Sequence, residues 1–329
     1  MNKTIVIALG LLLLILVEAA PAQQIRPPVQ VIFDTDMGPD YDDVGAIALL
    51  HALADSGKAV ILATIASSKY EGVAAVLNIL NTYFHKPGIP IAVPKGKAVD
   101  KRDFQHWTDT LIANYPHAIH TNAEVPDAVT LYRKLLSKQP DNSVTLITVG
   151  FLTNIANLLL SGPDQYSSLN GKALVRKKVK NMVCMAGIFP SGKEFNVEED
   201  AEASRTVFDN WQKPLLFSGF EIGRKIRTGI PLIHNDAISG SPVKDVFRIS
   251  IPLDKNDSEG RMSWDETAVL VGILGHAPYY TLHRGSIVVD KNGSNTWNDK
   301  KKKQSYLVEK APPEEVQSII NNLMMHQPQ

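Results

Sequence analysis

The chain has 329 residues, of which 44% are hydrophobic and 21% are charged. This composition is typical of a globular protein with a large core, and it excludes the disordered and fibrous classes. Lysine plus arginine and aspartate plus glutamate each number 34, so the formal net charge is zero and a nucleic acid polymer is not an expected partner. The single cysteine, Cys184, cannot form an intramolecular disulfide, so the fold is not expected to depend on disulfides.

The first 22 residues have the pattern of an export signal. A basic residue, Lys3, precedes the apolar run Ile5–Val17, and small residues follow up to Ala22. The pattern predicts a secretory signal peptide over residues 1–22, whose removal would leave residues 23–329 as the mature protein. A retained membrane anchor is the alternative, but the apolar run is short for a bilayer span. We therefore expect a secreted or periplasmic protein without membrane contact after cleavage.

Apolar runs of strand length alternate with helix-like segments along the chain. Continuous apolar strands indicate a sheet covered by helices on both faces, and therefore a mostly parallel sheet. No repeat or composition break divides the chain, so we predict a single-domain, open α/β fold with ligands at the carboxyl ends of the strands. The predicted elements are, in order, Val29–Phe33, Asp43–Ala54, Val60–Ile65, Gly72–Phe84, Val144–Val149, Thr153–Leu160, Asn181–Ala186, Ala201–Asn210 and Pro214–Ser218.

The first predicted strand leads into an unusual concentration of acidic residues. Five carboxylates, Asp34, Asp36, Asp40, Asp42 and Asp43, lie within ten residues. Side chains of like charge at this spacing raise one another's pKa, so a cation is expected among them. Oxygen donors of this kind favour a hard metal such as Ca²⁺.

Five short motifs follow one another in a fixed order over most of residues 29–275. They are Asp34–Gly38, Asp42-Asp43, Gly150–Asn154, Glu194–Asn196 and Trp264-Asp265. Together they resemble the inosine-uridine-preferring nucleoside hydrolase family, which has an open, Rossmann-like α/β fold and hydrolyses the N-glycosidic bond of ribonucleosides with one calcium ion. The resemblance therefore implies that residues 23–329 are the catalytic domain of a ribonucleoside hydrolase with a small-molecule nucleoside substrate, and by analogy a homodimer or homotetramer.

The resemblance also implies a metal site and a general base. Asp36, Asp43 and Asp265 match the family's carboxylate ligands, and Val149 falls where the family supplies a backbone carbonyl. All four would offer oxygen atoms, which Ca²⁺ requires. Asp36 would be the catalytic base that accepts a proton from the calcium-bound water.

The same matching implies the sugar contacts. Asp42 would accept a hydrogen bond from a ribose hydroxyl, although two extra residues in the first motif leave open whether Asp40 or Asp42 has this role. Glu194 and Asn196 would hold the sugar from the other side, and Phe195 belongs to the same substrate-binding motif. Carboxylates around the ribose would favour the positive charge of an oxocarbenium-like transition state.

Trp264 stands where much-studied members of the family have a histidine that protonates the leaving base. The indole N–H is not acidic enough at neutral pH to protonate a leaving base, so a different acid or a better leaving group is required. His106, His117 and His120 are the candidate acids, because an ordinary histidine titrates near neutrality. They lie in the aromatic segment 100–122, which we expect to be a lid or a pocket wall. Trp264 is expected to stack on the base or to belong to the core.

Two other function classes fit parts of the sequence. Phosphatases of the haloacid dehalogenase type also place Asp-x-Asp after a first apolar strand, but Gly38 stands where their motif has Thr or Val. A non-catalytic, calcium-dependent nucleoside or sugar binder of the periplasm would keep the ribose pocket and lose the leaving-group chemistry. The base preference stays open. The lysine run at 300–303 is expected to be a solvated surface turn.

Overall fold

The computed structural model of the protein describes residues 27–328, so the predicted signal peptide lies outside the described residues. Within that range, no helix is both long and apolar enough to cross a membrane. The strands are β1 Val29–Thr35, β2 Ala59–Ala66, β3 Ile91–Ala92, β4 Val144–Thr148, β5 Val179–Met185, β6 Ser191–Lys193, β7 Leu215–Ser218, β8 Arg227–Thr228, β9 Arg261–Met262, β10 Tyr280–Gly285, β11 Ile287–Val289, β12 Ser294–Trp297 and β13 Gln304–Glu309. The helices are α1 Asp42–Asp55, α2 Val73–Tyr83, α3 Trp107–Asn114, α4 Ala128–Lys138, α5 Thr153–Leu160, α6 Gly171–Lys178, α7 Phe195–Glu199, α8 Ala201–Asn210, α9 Phe220–Gly223, α10 Ile230–Ile233, α11 Pro242–Ser250, α12 Trp264–Leu274 and α13 Pro313–Met324.

The centre of the fold is an open, mostly parallel sheet, as the sequence predicts. In the part of the chain that the structure describes, eight strands form this sheet in the order β10-β13-β7-β5-β4-β1-β2-β3. All neighbouring pairs are parallel except β10 and β13, which form an antiparallel edge. The carboxyl ends of β1, β4, β5 and β7 therefore meet at one edge of the sheet.

Strand β1 shows why its sequence is apolar without alternation. Val31 and Phe33 pack into the hydrophobic core on the face of α1, α2 and α12. Ile32 points to the opposite face and packs into a second core with α4, α5 and α8. Because both faces are covered, every position in the strand interior must be apolar.

Helices α1 and α12 lie side by side against the sheet. Residues Asp42 to Leu53 of α1 are all buried, which is unusual for a helix that follows a polar loop. Gly45 lets the two helices approach, since a Cβ at this position would collide with the carboxylate of Glu266 on α12. This close packing brings together two helix N-termini that are more than 200 residues apart in the sequence.

The sequence prediction was least informative in two regions. The segment 100–122 contains α3, which packs against α2 and α11 through the fully buried Trp107. Toward the C-terminus, β11 and β12 form a small antiparallel sheet with β6. This small sheet fixes the strand that directly precedes Glu194, one of the predicted sugar ligands.

Candidate active site

A cavity of about 260 Å³ opens at the carboxyl edge of the sheet, where the acid cluster was predicted to lie. It brings together residues from the β1–α1 loop, the start of α1, the segment after β4, β5, α7 and the residue before it, α9, β9 and α12. Ten residues that the sequence analysis considered for the site line it, counting Asp40 as the alternative to Asp42. The lining residues are Asp36, Asp40, Asp42, Asp43, Val149, Met185, Glu194, Phe195, Asn196, Phe220, Arg261, Trp264 and Asp265.

The loop between β1 and α1 is shaped by Thr35 and Gly38. The Thr35 hydroxyl donates to Asp43 and accepts from the backbone N–H of Met37 at 3.0 Å, which turns the chain back toward α1. Gly38 has φ of +148°, and a Cβ there would lie 2.6 Å from the ring of Tyr70. The glycine is therefore required by backbone conformation and by space.

Asp36 lies against the end of β4. A Cβ on Gly150 would lie 2.7 Å from Oδ1 of Asp36, so only glycine allows the carboxylate to sit there. Burial raises the pKa of Asp36 well above its ordinary value, and the negative charges of Asp43 and Asp40 raise it further. The motif that begins at Gly150 thus makes room for the carboxylate of the first motif.

The other two predicted carboxylate ligands have the same electrostatic character. Burial raises the pKa of Asp43 to about 7, with a further contribution from the charge of Asp40. Burial also raises the pKa of Asp265, and the neighbouring charges of Asp42 and Asp43 add to the effect. A cation bound among these groups would reverse the shifts, because it favours the ionised carboxylates.

The donor set fits a hard cation. Within residues 27–328, no three His, Cys, Asp or Glu side chains are arranged as a preformed metal-binding group. Asp36, Asp43 and Asp265 are nevertheless buried, line one cavity with the Val149 residue, and offer oxygen atoms. Arg261 is the basic residue that lines the cavity, and it is engaged by Asp40 and Asp42. Buried oxygen donors without a basic partner of their own are suited to a hard cation.

Asp42 connects the N-termini of α1 and α12. Its Oδ1 accepts from Nε and Nη2 of Arg261 at 3.1 and 2.9 Å, and its Oδ2 accepts from the backbone N–H groups of Trp264 and Asp265 at 3.2 and 3.3 Å. A ribose hydroxyl at Asp42 would therefore share an oxygen that is already hydrogen-bonded. Asp40 lies nearby at 2.6 Å from Nη2 of Arg261, so both candidate aspartates contact one guanidinium group.

Arg261 is the charged residue of the cavity that sequence reasoning missed. Its guanidinium lies 4.9 Å from the ring centre of Tyr41 and 5.0 Å from that of Trp264. It is also 3.6 Å from Asp257, which accepts a hydrogen bond from the Tyr41 hydroxyl. No local motif marks Arg261, because all its partners except Asp257 and Trp264 are more than 200 residues away in the sequence.

Glu194 and Asn196 form the opposite wall of the cavity. Glu194 caps α7, since its carboxylate accepts from the backbone N–H groups of Asn196, Gly187 and Val197 at 2.8, 3.0 and 3.2 Å. Burial raises the pKa of Glu194 to about 7 although these three donors favour its ionised form. The Asn196 amide donates to the carbonyl oxygen of Val149 at 2.8 Å. The predicted sugar ligands are thus connected to the predicted metal ligand.

Aromatic side chains form the remaining walls. Trp264 stacks on Phe220 with 5.0 Å between ring centres, and its Nε1 donates to the Phe220 carbonyl at 2.8 Å. Phe195 is 39% exposed at the cavity, and Nζ of Lys101 lies 4.9 Å from its ring centre. Phe220 was not anticipated, because only the fold brings α9 next to α12.

The three candidate acids are not brought to the cavity. His106 is largely exposed and lies 3.2 Å from Asp109 on α3. His117 contacts the carbonyl of Tyr115 at 2.8 Å and packs against the ring of His120. None of the three lines the cavity, because α3 packs against α2 and α11 instead.

Asp34 lies outside the cavity and holds neighbouring strands together. Its Oδ2 accepts from the Tyr132 hydroxyl at 2.8 Å and from the Asn154 amide at 3.1 Å, and Asn154 also donates to the carbonyl of Ala66 at 2.8 Å. Burial raises the pKa of Asp34 to about 7. Asp34 and Asn154 therefore hold the ends of β1 and β2 together and do not face the cavity.

Comparisons with known proteins show the family to which the chain belongs. The family model of the inosine-uridine preferring nucleoside hydrolases matches residues 31–317. A pyrimidine-specific ribonucleoside hydrolase, RihA, of Klebsiella pneumoniae subsp. pneumoniae is 26% identical over 228 residues, which cover 64% of this chain and 67% of that protein. The inosine-uridine preferring nucleoside hydrolase of Leishmania major is 28% identical over 196 residues, which cover 56% and 58% of the two chains.

Solved structures show the same fold. A plant nucleoside hydrolase, PpNRh1, superposes with a TM-score of 0.70 at 19% identity, covering 91% of this chain and 99% of that one. An inosine-uridine preferring nucleoside hydrolase from Bacillus anthracis gives a TM-score of 0.69 at 16% identity, covering 90% and 99%. The chain thus belongs to the inosine-uridine preferring nucleoside hydrolase family, a family of N-glycosyl hydrolases.

Proposed function

We propose that this protein hydrolyses the N-glycosidic bond of ribonucleosides to the free base and ribose. One observation supports this most strongly. The acidic side chains Asp36, Asp43 and Asp265 come from two distant parts of the chain, and they line one cavity together with Glu194 and Asn196. The family match supports the same reaction class. It gives no support to the phosphatase alternative.

We further propose Ca²⁺ as the cofactor. Asp36, Asp43, Asp265 and the carbonyl oxygen of Val149 would hold it, since a set of carboxylate and carbonyl oxygens is what calcium prefers. When bound, the ion would make a water molecule more acidic and would favour ionised carboxylates around it. The hydrogen bond from Asn196 to Val149 keeps that carbonyl in place.

The protein's own side chains would then carry out the following roles. Asp36 takes a proton from water as the water oxygen attacks the anomeric carbon and the bond to the base nitrogen breaks. Glu194 and Asn196 hold the ribose, with Asp42 or Asp40 at its other side. Positive charge that develops on the sugar is favoured by these carboxylates, because they are fixed by hydrogen bonds before the reaction begins.

The base would lie between the aromatic walls of the cavity. Phe195, Phe220 and Trp264 offer flat apolar surface for a heterocycle. His106, His117 and His120 do not line the cavity, so we leave them out of the proposed mechanism. The electron pair of the broken bond would leave with the base nitrogen, and solvent water would supply the proton that the departing base takes up. Stacking would hold the base, and the carboxylates would favour the positive charge that develops on the sugar. This arrangement favours substrates whose base leaves readily.

Release of reducing sugar is the direct test. Wild-type protein would be incubated with purine and pyrimidine ribonucleosides and with p-nitrophenyl riboside, with and without a calcium chelator. We expect calcium-dependent release, and a decrease of about 10²- to 10⁴-fold in kcat for Asp36→Asn, the usual effect of losing a general base. Asp236→Asn is the matched control, because this aspartate is exposed and far from the cavity.

The outcomes separate the candidate functions. Cleavage of p-nitrophenyl riboside alone would show that the natural substrate has a better leaving group than ordinary nucleosides. Nucleoside binding without any cleavage would contradict the proposal and would identify a calcium-dependent binding protein. Normal turnover by Asp36→Asn would remove Asp36 from the mechanism.

We also propose that the protein is exported. The support is the signal-like pattern of residues 1–22, which lies outside the described residues. Expression of the full chain in a bacterial host, followed by intact-mass measurement of the periplasmic fraction, would test it. We expect a mature N-terminus near residue 23, and an uncleaved chain in the cytoplasm would contradict the proposal.

A further inference from the structure

A second concave site lies at the edge of the sheet opposite to the active site. It is a groove of about 600 Å³, more than twice the volume of the active-site cavity. It runs past the amino ends of β5, β7 and β13, which are parallel to one another. Four cationic side chains, Lys213, Arg284, Lys302 and Lys303, line it, and no acidic residue does. We call this site the basic groove.

The fold brings these cations together from three separate segments. Ser305 on β13 pairs with Arg284 on β10 and with Leu216 on β7, so the three strands are in register at the groove. The backbone N–H of Lys303 donates to the carbonyl of Gly285 at 3.0 Å, which places the end of the lysine run beside Arg284. Lys213 lies two residues before the start of β7.

The charge of the basic groove is not neutralised by the protein. Within residues 27–328, none of the four cations takes part in an ion pair, and Lys213 contacts only the neutral side chain of Asn142. Some lysines elsewhere on the surface, such as Lys86, are paired with acids, and others, such as Lys134, have no ion pair among the described residues. The groove is distinguished by four unpaired cations that line one concave surface. The chain as a whole has no net charge, so the positive groove results from segregation of charge. Like charges that converge on one concave surface favour an anionic ligand.

The floor of the basic groove is apolar. Met182, Leu215 and Leu282 line it, together with Trp211, which is only 7% exposed. A ligand that fits both the floor and the rim has an apolar body and several anionic oxygen atoms. Phosphate groups supply those oxygens in a small volume, and arginine and lysine are the side chains that bind them best.

We propose that the basic groove binds a phosphate-bearing ligand. The lysine run at 300–303 was expected from sequence to be a solvated turn, and its residues are indeed exposed. The groove differs from an ordinary lysine-rich turn in two respects. It is concave, and half of its cations, Lys213 and Arg284, come from outside the run. The ligand site is independent of the proposed hydrolase activity.

Calorimetric titration with phenyl phosphate tests the proposal. The full protein is first dialysed free of divalent cations, so that no metal in the active site competes for phosphate. Phenol is the uncharged control ligand and inorganic phosphate the ligand without an apolar body. The groove variant carries Lys213→Gln, Arg284→Gln, Lys302→Gln and Lys303→Gln. The control variant also loses four positive charges, at exposed positions that line neither the basic groove nor the active-site cavity, by Lys134→Gln, Lys255→Gln, Lys291→Gln and Lys310→Gln.

We expect wild-type protein to bind phenyl phosphate more tightly than inorganic phosphate and not to bind phenol. The groove variant should bind phenyl phosphate at least about tenfold more weakly, because charge-assisted hydrogen bonds are lost, and the control variant should differ from wild type by less than about twofold. If both variants bound phenyl phosphate equally weakly, the loss of affinity would come from the change in net charge, and the proposal would be overturned. So would the absence of binding to wild type in every arm of the test.

A second arm distinguishes the source of the phosphate. Sedimentation with vesicles of phosphatidylglycerol, compared with vesicles of phosphatidylcholine, detects binding to an anionic lipid headgroup. Vesicle binding that the groove variant loses and the control variant keeps would assign the ligand to lipid, whereas phenyl phosphate binding alone would assign it to a soluble phosphorylated molecule. Melting temperatures of both variants show whether they are folded. A hydrolase assay is not involved, so failure of this proposal leaves the proposed function unaffected.

Discussion

The two edges of the central sheet have opposite charge and opposite solvent exposure. At the carboxyl edge, Asp36, Asp43 and Asp265 are buried, and burial together with mutual repulsion raises the pKa of each. At the amino edge, three cations of the basic groove are exposed and Lys213 is half-buried, and none of the four has an acidic partner among the described residues. Water screens the exposed charges, whereas the buried ones interact strongly. Substitutions at the carboxyl edge should therefore change the free energy of unfolding strongly. Substitutions at the amino edge should change it little when no ligand is bound.

Loss of Arg261 should have the largest effect on stability. The variant Arg261→Met would leave the buried carboxylate of Asp42 without its cation and would leave Asp257 with Arg227 alone, at 3.8 Å. Removing the partner of a buried charge typically costs about 3–5 kcal/mol of the free energy of unfolding. Urea denaturation monitored by circular dichroism measures it. Arg248→Met is the matched control, since its ion pair with Asp245 is exposed and should be worth less than about 1 kcal/mol. If both variants lost similar amounts of the free energy of unfolding, the buried ion pairs of Arg261 would contribute no more than an exposed ion pair.

Glu194 should give the carboxyl edge a pH-dependent stability. Its pKa is about 7 in the folded protein and 4.5 in its ordinary state, so the folded state binds the proton more tightly. Stability from this group is complete below about pH 4.5 and is lost as the pH rises through about 7, with a slope of up to about 1.4 kcal/mol per pH unit. Glu194→Gln should lack this component.

The measurement for Glu194 is the difference between wild-type and variant free energies of unfolding at several pH values, in metal-free protein. Subtraction removes the contribution of the other buried carboxylates. Glu202→Gln, at an exposed position on α8, should keep the wild-type pH dependence. A constant difference across pH 4.5 to 7 would contradict the assignment to Glu194.

The smallest effect is expected at the amino edge. In the absence of a phosphate ligand, the groove variant should change the free energy of unfolding by less than about 1 kcal/mol, because exposed charges interact weakly through solvent. Its kcat on any nucleoside that the wild type cleaves should stay within about twofold. A large loss of stability would mean that these cations are structural and that the two edges do not differ as described.

The residues of the first motif illustrate what can be read from sequence. The apolar run of β1, the turn at Gly38 and the acids from Asp36 to Asp43 are all local features, so their order alone predicts a strand that ends in a polar site. Helix α8 likewise has the predicted bounds, Ala201–Asn210. The family resemblance added the distant Asp265, which local patterns could not have connected to β1.

Other parts of the site depended on contacts between distant segments. Phe220 faces the cavity only because α9 packs next to α12, and the histidines of segment 100–122 are kept away from it because α3 packs on α2 and α11. Composition correctly marked that segment as unusual, yet it did not show which surface the segment covers. The lysine run likewise looked like a solvated turn until the strand register placed it beside Arg284 and Lys213.

The sequence by itself determined the open α/β fold, the family and the acidic end of β1, because strand periodicity, turn chemistry and motif order are properties of neighbouring residues. Only the tertiary structure decided that Arg261 joins Asp42 across 219 positions, that Asn196 holds the Val149 carbonyl, and that cations converge at the opposite edge. The physical reason is the same in each case. A buried charge or an unpaired cation is defined by what surrounds it in space, and residues far apart in the chain become neighbours only when the sheet assembles.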